Sequence, residues 1–156
     1  MISSSSKLSR KMLISSPLRV IQFSLKWPLV TFGGVQVPGT KINYHIFNTP
    51  LGPRSFSVLA REYRPDSRYP LGFRPELFPY VDEFAIYLHG ESVIYLIPQR
   101  VLVDDVFKSI GKPSINDVGQ WFCNLNHGTG ELESEGLWPR KNVAKFAIGV
   151  DDERAN

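Results

Sequence analysis

The 156-residue chain has little sulfur, with a single cysteine, Cys123. One cysteine excludes an intramolecular disulfide and fits a reducing, intracellular compartment. Acid is missing from the first part of the chain. No Asp or Glu precedes Glu62, while Lys7, Arg10, Lys11, Arg19, Lys26, Lys41, Arg54 and Arg61 all do. Long apolar runs are missing too: Val93 to Ile97 is among the longest, far short of the ~20 residues that cross a bilayer, so no membrane span is expected. No glycine loop of phosphate-binding spacing occurs, and no internal repeat.

What is present is an apolar content of 42%, enough to build a core. Residues 17–150 read as one globular domain, followed by an acidic tail over 151–156. Residues 1–16 are Ser-rich, basic and free of acid, which is the composition of a mitochondrial or plastid transit segment and equally of a plain frayed terminus. Net charge is only +3, but the basic first half favours an anionic partner such as nucleic acid. The same residues also suit dispersed, solvated surface positions.

The clearest structural signal runs from Asp82 to Pro98. Phe84, Ile86 and Leu88 alternate with Ala85, Tyr87 and His89, and Val93, Tyr95 and Ile97 alternate with Ile94 and Leu96. A period of two with both faces apolar predicts a hairpin at about 83–98 in the middle of a sheet, turning through His89-Gly90-Glu91-Ser92. The fold class is therefore α/β or α+β, with a mixed central sheet and short helices after residue 101. Val101–Ile110 has helical spacing ending at Gly111, and a second helix is expected from about Asn116 to Leu125. Before the hairpin, strands are expected at Val20–Leu25, Val35–Val37 and Lys41–Phe47. Residues 48–80 hold six prolines and read as a loop-rich middle. A last strand is expected over Val143–Val150.

The chemistry-bearing residues are few. Arg54, Arg61, Arg64, Arg68 and Arg74 are interleaved with aromatics between Phe56 and Phe78. Guanidinium groups grip phosphate and aromatic rings stack on bases, so Arg54, Arg61, Arg64 and Arg68, with Lys41, are candidate nucleic-acid contacts. A surface loop packed on a sheet edge has the same composition. Cys123 and His127 are four apart and could meet on one helical face, yet a structural zinc site needs about four ligands and no paired cysteine exists. Lone His45, on a strand, reads as an ordinary surface residue.

Val81-Asp82-Glu83-Phe84-Ala85-Ile86-Tyr87, followed by Val93-Ile94-Tyr95-Leu96-Ile97-Pro98, resembles a segment of the PD-(D/E)XK nucleases, nearest to the intron-encoded homing endonucleases. Val35-Gln36-Val37-Pro38 and Ile46-Phe47-Asn48-Thr49 resemble words further upstream in that family, so the likeness covers roughly residues 35–98. It implies a nuclease-like fold and a nucleic-acid partner. The family's lysine falls two residues after Gln36, where this chain has Pro38, and no carboxylate precedes Glu62 to take the part of the family's upstream aspartate. The resemblance thus implies a degenerate, nucleic-acid-binding relative without an intact catalytic site. An active Mg2+-dependent endonuclease would have to relocate its site among Gln36, Lys41, Glu62, Asp66, Asp82 and Glu83. An organelle accessory protein that binds another protein is a third expectation.

Overall fold

The computed structural model describes residues 17–107, 115–134 and 137–150. The basic tail over 1–16, the end of the first expected helix at Ile110 and the acidic tail lie outside the described residues. Ten strands are present among those described: β1 Val35–Gln36, β2 Asn43–Thr49, β3 Gly52–Arg61, β4 Arg68–Phe73, β5 Glu83–Leu88, β6 Val93–Pro98, β7 Trp121–Asn126, β8 Glu131–Ser134, β9 Leu137–Asn142 and β10 Ala147–Gly149. They form a mixed six-stranded sheet, ordered β1-β2-β3-β5-β6-β10, and an antiparallel four-stranded sheet, ordered β4-β7-β8-β9. Two short helices accompany them, α1 (Pro17–Leu25) and a π-helix (Val101–Phe107), giving an α+β fold.

The hairpin forms as its pattern requires, with Leu88 opposite Val93 and Glu83 opposite Pro98. Gly90 turns the corner at φ +95°, and a Cβ there would overlap that of Tyr63. The alternation sorts the side chains into two cores. Phe84, Ile86, Leu88, Val93, Tyr95 and Ile97 face the second sheet, where they meet Tyr69, Leu71, Phe73, Cys123 and Leu125. Ala85, Tyr87, Ile94 and Leu96 face the other way, against Val20 and Ile21 of α1. The result is three layers: helix, mixed sheet, second sheet.

Several sequence expectations are overturned. Val20–Leu25 is helix rather than strand. Pro17 supplies a φ suited to a first turn, and Leu18, Ile21 and Leu25, spaced by three and four, pack on one face. The loop-rich middle contains β3 and β4. Pro53 is tolerated because it precedes the start of β3–β5 pairing at Phe56, and Pro70 because β4 is a sheet edge. The expected second helix is instead the strand β7, where Cys123 and Leu125 point inward between Asn124 and Asn126. Asn116 closes a turn before it, accepting from the backbone N–H of Val118 and of Gln120 at 3.1 and 2.9 Å. The helix after the hairpin is a π-helix, whose i to i+5 bonding buries Val101 with Val106 and Leu102 with Phe107. The last strand shrinks to Ala147–Gly149 behind a 3-10 turn, Ala144–Phe146. No helix among the described residues is long and apolar enough to cross a membrane.

β3 and β5 run parallel, in register from Phe56 opposite Glu83 to Arg61 opposite Leu88. Parallel neighbours need a crossover. Here the chain leaves β3, lays down β4 as the edge of the second sheet, and returns through a 3-10 turn at Pro75–Leu77. That excursion creates the feature described next.

Candidate functional site

Ser57, Leu59 and Arg61 of β3 pair with Phe84, Ile86 and Leu88, so they share the face on which the second sheet packs. The second sheet ends at β4, and the step between β4 and β3 opens a cleft of about 320 Å³. Its floor is the stretch Ser57–Arg61; its far wall carries Gly72, Phe73 and Arg74 of the β4 end, with Gln120 above. Ser57 is only 8% exposed, so the floor is recessed. Among the described residues, none that lines it is acidic.

Each polar group is held by local structure. Arg61 ends β3 and spans the step, its Nε donating to the Pro70 carbonyl at 2.9 Å and its Nη1 to the Ala60 carbonyl at 2.8 Å. Burial lowers its pKa, though a guanidinium remains charged at any ordinary pH. It has no ion pair among the described residues. Arg74 precedes Pro75 and is confined to extended backbone, with φ −79° and ψ 114°. Its side chain likewise has no ion pair or hydrogen bond among the described residues. Gln120 lies over Gly72, where any Cβ would overlap its Oε1, and that oxygen accepts from Asn116 Nδ2 at 2.9 Å. The cleft therefore offers guanidinium N–H groups, an amide and a hydroxyl to an oxyanion, with no carboxylate among its described lining residues to repel it.

The other sequence candidates are dispersed. Gln36 sits on the edge strand β1, separated from β5 by β2 and β3, and its amide donates to the Thr40 carbonyl. Lys41 shares with it a shallow, open depression in the β1–β2 connection. Arg54 is taken up by Glu83, with Nε and Nη2 at 3.0 and 2.9 Å from Oε1. Arg64 lies 3.7 Å from Asp66, and Arg68 lies 3.5 Å from Glu133. Of the five predicted contacts, only Arg61 lines the cleft. Arg74 stands in the same Arg-aromatic run, outside the five expected contacts. Gln120 and Ser57 carry no sequence signal, since only the packing of two sheets brings them there.

The candidate carboxylates sit in separate local settings. Asp82 Oδ2 accepts from the Ser55 N–H and Oγ at 2.9 and 3.1 Å, which ties β3 to the start of β5. Asp66 closes its own turn on the Arg68 N–H at 3.1 Å, and Glu62 is exposed. No group of three His, Cys, Asp or Glu converges among the described residues. Cys123 is fully buried, its thiol pushed up to about 12 by burial, and the strand geometry points it into the core, away from a pairing with His127. No family model, curated protein or solved structure matches the chain.

Proposed function

We propose that the chain is a nuclease-like nucleic-acid-binding protein that holds phosphate in the β3–β4 cleft without an intact catalytic site. The observation that carries this reading is Arg61. Half-buried cations in proteins are ordinarily matched by an acid; among the described residues this one meets only carbonyl oxygens, and a second guanidinium without a partner, Arg74, lines the same cleft, where no described residue is acidic. A phosphate would supply the missing charge, and both arginines would bind it through N–H donors. The use of Asp82 and Glu83 in holding β3 to β5 supports binding over cleavage.

The test is fluorescence anisotropy of the whole chain with labelled oligonucleotides across ~50–200 mM salt. The logarithm of the binding constant should fall linearly with that of salt, and Arg61→Ala or Arg74→Ala should each weaken binding and shallow the slope by about 0.7–0.9. Arg54→Ala, whose cation is spent on Glu83, should leave the slope unchanged. Flat, weak binding to both DNA and RNA would sink the proposal. Magnesium-dependent cleavage lost in Asp82→Asn would replace it with an enzyme.

A further inference from the structure

Resting on that reading, we propose that the cleft takes single-stranded nucleic acid, with one unpaired base laid on Tyr80. Tyr80 is 40% exposed and stacks on Tyr44, with centroids 6.1 Å apart and planes at 25°. The platform is firmly mounted. The Tyr80 N–H donates to the Leu77 carbonyl at 2.9 Å, and its own carbonyl accepts from Ser55 Oγ at 2.9 Å. Tyr44 packs on the core between the sheets from the strand beside β3.

This platform adjoins the cleft. Leu77, which holds the Tyr80 backbone, is itself a lining residue. Tyr44 is on β2 beside β3, one residue before His45, which pairs with Phe56 next to Ser57 of the cleft floor. A strand crossing the site would meet cations at Arg61 and Arg74 and an aromatic face at Tyr80. That combination of charged groove and stacking ring is the physical basis of single-strand binding.

Two features disfavour a duplex. The cleft is concave and recessed, with a volume at the low end of the small-ligand range, suited to a nucleotide unit and closed to a convex double helix whose base faces are already stacked. Groove reading also needs a helix or ribbon able to enter it. α1 lies on the opposite face of the mixed sheet, and the π-helix packs Val101, Leu102, Val106 and Phe107 into the core and leaves acidic Asp104 and Asp105 exposed.

The experiment compares a labelled single-stranded oligonucleotide with the same sequence closed into a blunt hairpin duplex. The whole chain should prefer the single strand by roughly tenfold or more. Tyr80→Ala and Tyr80→Leu should each lose about tenfold in single-strand affinity at unchanged salt slope, while Tyr80→Phe keeps it. Tyr80→Leu retains a side chain over Tyr44, so loss of stacking is separable from loss of fold, which thermal melting of each variant checks. Equal or tighter duplex binding, or single-strand affinity indifferent to both substitutions, overturns this proposal. If arginine-dependent, salt-sensitive duplex binding survives in that case, the phosphate cleft stands. If neither form binds, both readings fall.

Discussion

Glu83 and Arg54 show how a residue legible as a charge can be illegible as a site. Arg54 reads as a phosphate contact because it lies in an acid-free half, but the fold brings Glu83, 29 positions along the chain, onto it. Burial is the larger influence on Glu83 and raises its pKa, outweighing the attraction of Arg54. The folded state therefore keeps this proton at a pH where the unfolded chain has released it. Stability contributed by the group is present below the ordinary carboxylate value and is lost as pH rises through the raised one. Glu83→Gln removes the titration. Between about pH 4 and 7, the urea midpoint of the variant should decline less than that of the parent. A parallel pair of curves would show that Arg54 cancels the cost of burial. Asp82, adjacent in sequence, turns instead to Ser55, as the alternation of a strand start requires.

At the scale of elements, the hairpin was readable because its two faces enter two cores, so every position from Phe84 to Ile97 outside the turn carries the pattern. The parallel β3–β5 pair was not readable, because a short strand seen alone carries no mark of its neighbour's direction. Prolines hid β3 and β4, since their penalty vanishes where one side of a strand is unpaired. α1 is the sharpest case. Val20-Ile21-Gln22-Phe23 suits a strand by composition, and a strand would place Ile21 and Phe23 on one face. In the helix they part company: Ile21 is 1% exposed and Phe23 48%. Ile21→Ala should then cost about 2–4 kcal/mol and lower the Tm by roughly 4–16 °C, whereas Phe23→Ala should change stability by about 0.5 kcal/mol or less. Equal losses at both positions, read by calorimetry, would point to the strand.

For the whole molecule, folding offsets part of the lopsided charge of the sequence. Arg54 meets Glu83, Arg68 meets Glu133, and the acids of one half neutralise cations of the other. Arg61 and Arg74 have no acidic partner among the described residues, and they line one cleft only because β3 and β4 belong to different sheets. Sequence spacing carries no trace of that step, which is why the cleft was not legible in the sequence. Keeping the step open requires the two sheets to hold a fixed offset, and a polar latch spans them. Tyr69 of β4 donates to Glu91 Oε2 at 2.7 Å, its phenol pushed up to about 12 chiefly by burial and therefore neutral. Glu91 Oε1 lies 3.9 Å from His127 Nε2, and His127 Nδ1 shares a 2.6 Å hydrogen bond with Tyr95 of β6. The hairpin of the first sheet is thus joined to both β4 and the β7–β8 turn of the second. Tyr95→Phe removes one hydroxyl and leaves the ring, and should cost about 1–2 kcal/mol, as should His127→Ala. Because each substitution breaks the same bond, the double variant should lose about 1 kcal/mol less than the sum of the two, measured as a thermodynamic cycle in urea. Additive losses would mean that apolar packing alone sets the offset. A latch that carries coupling also fixes β4, and with it the cleft wall that carries Arg74.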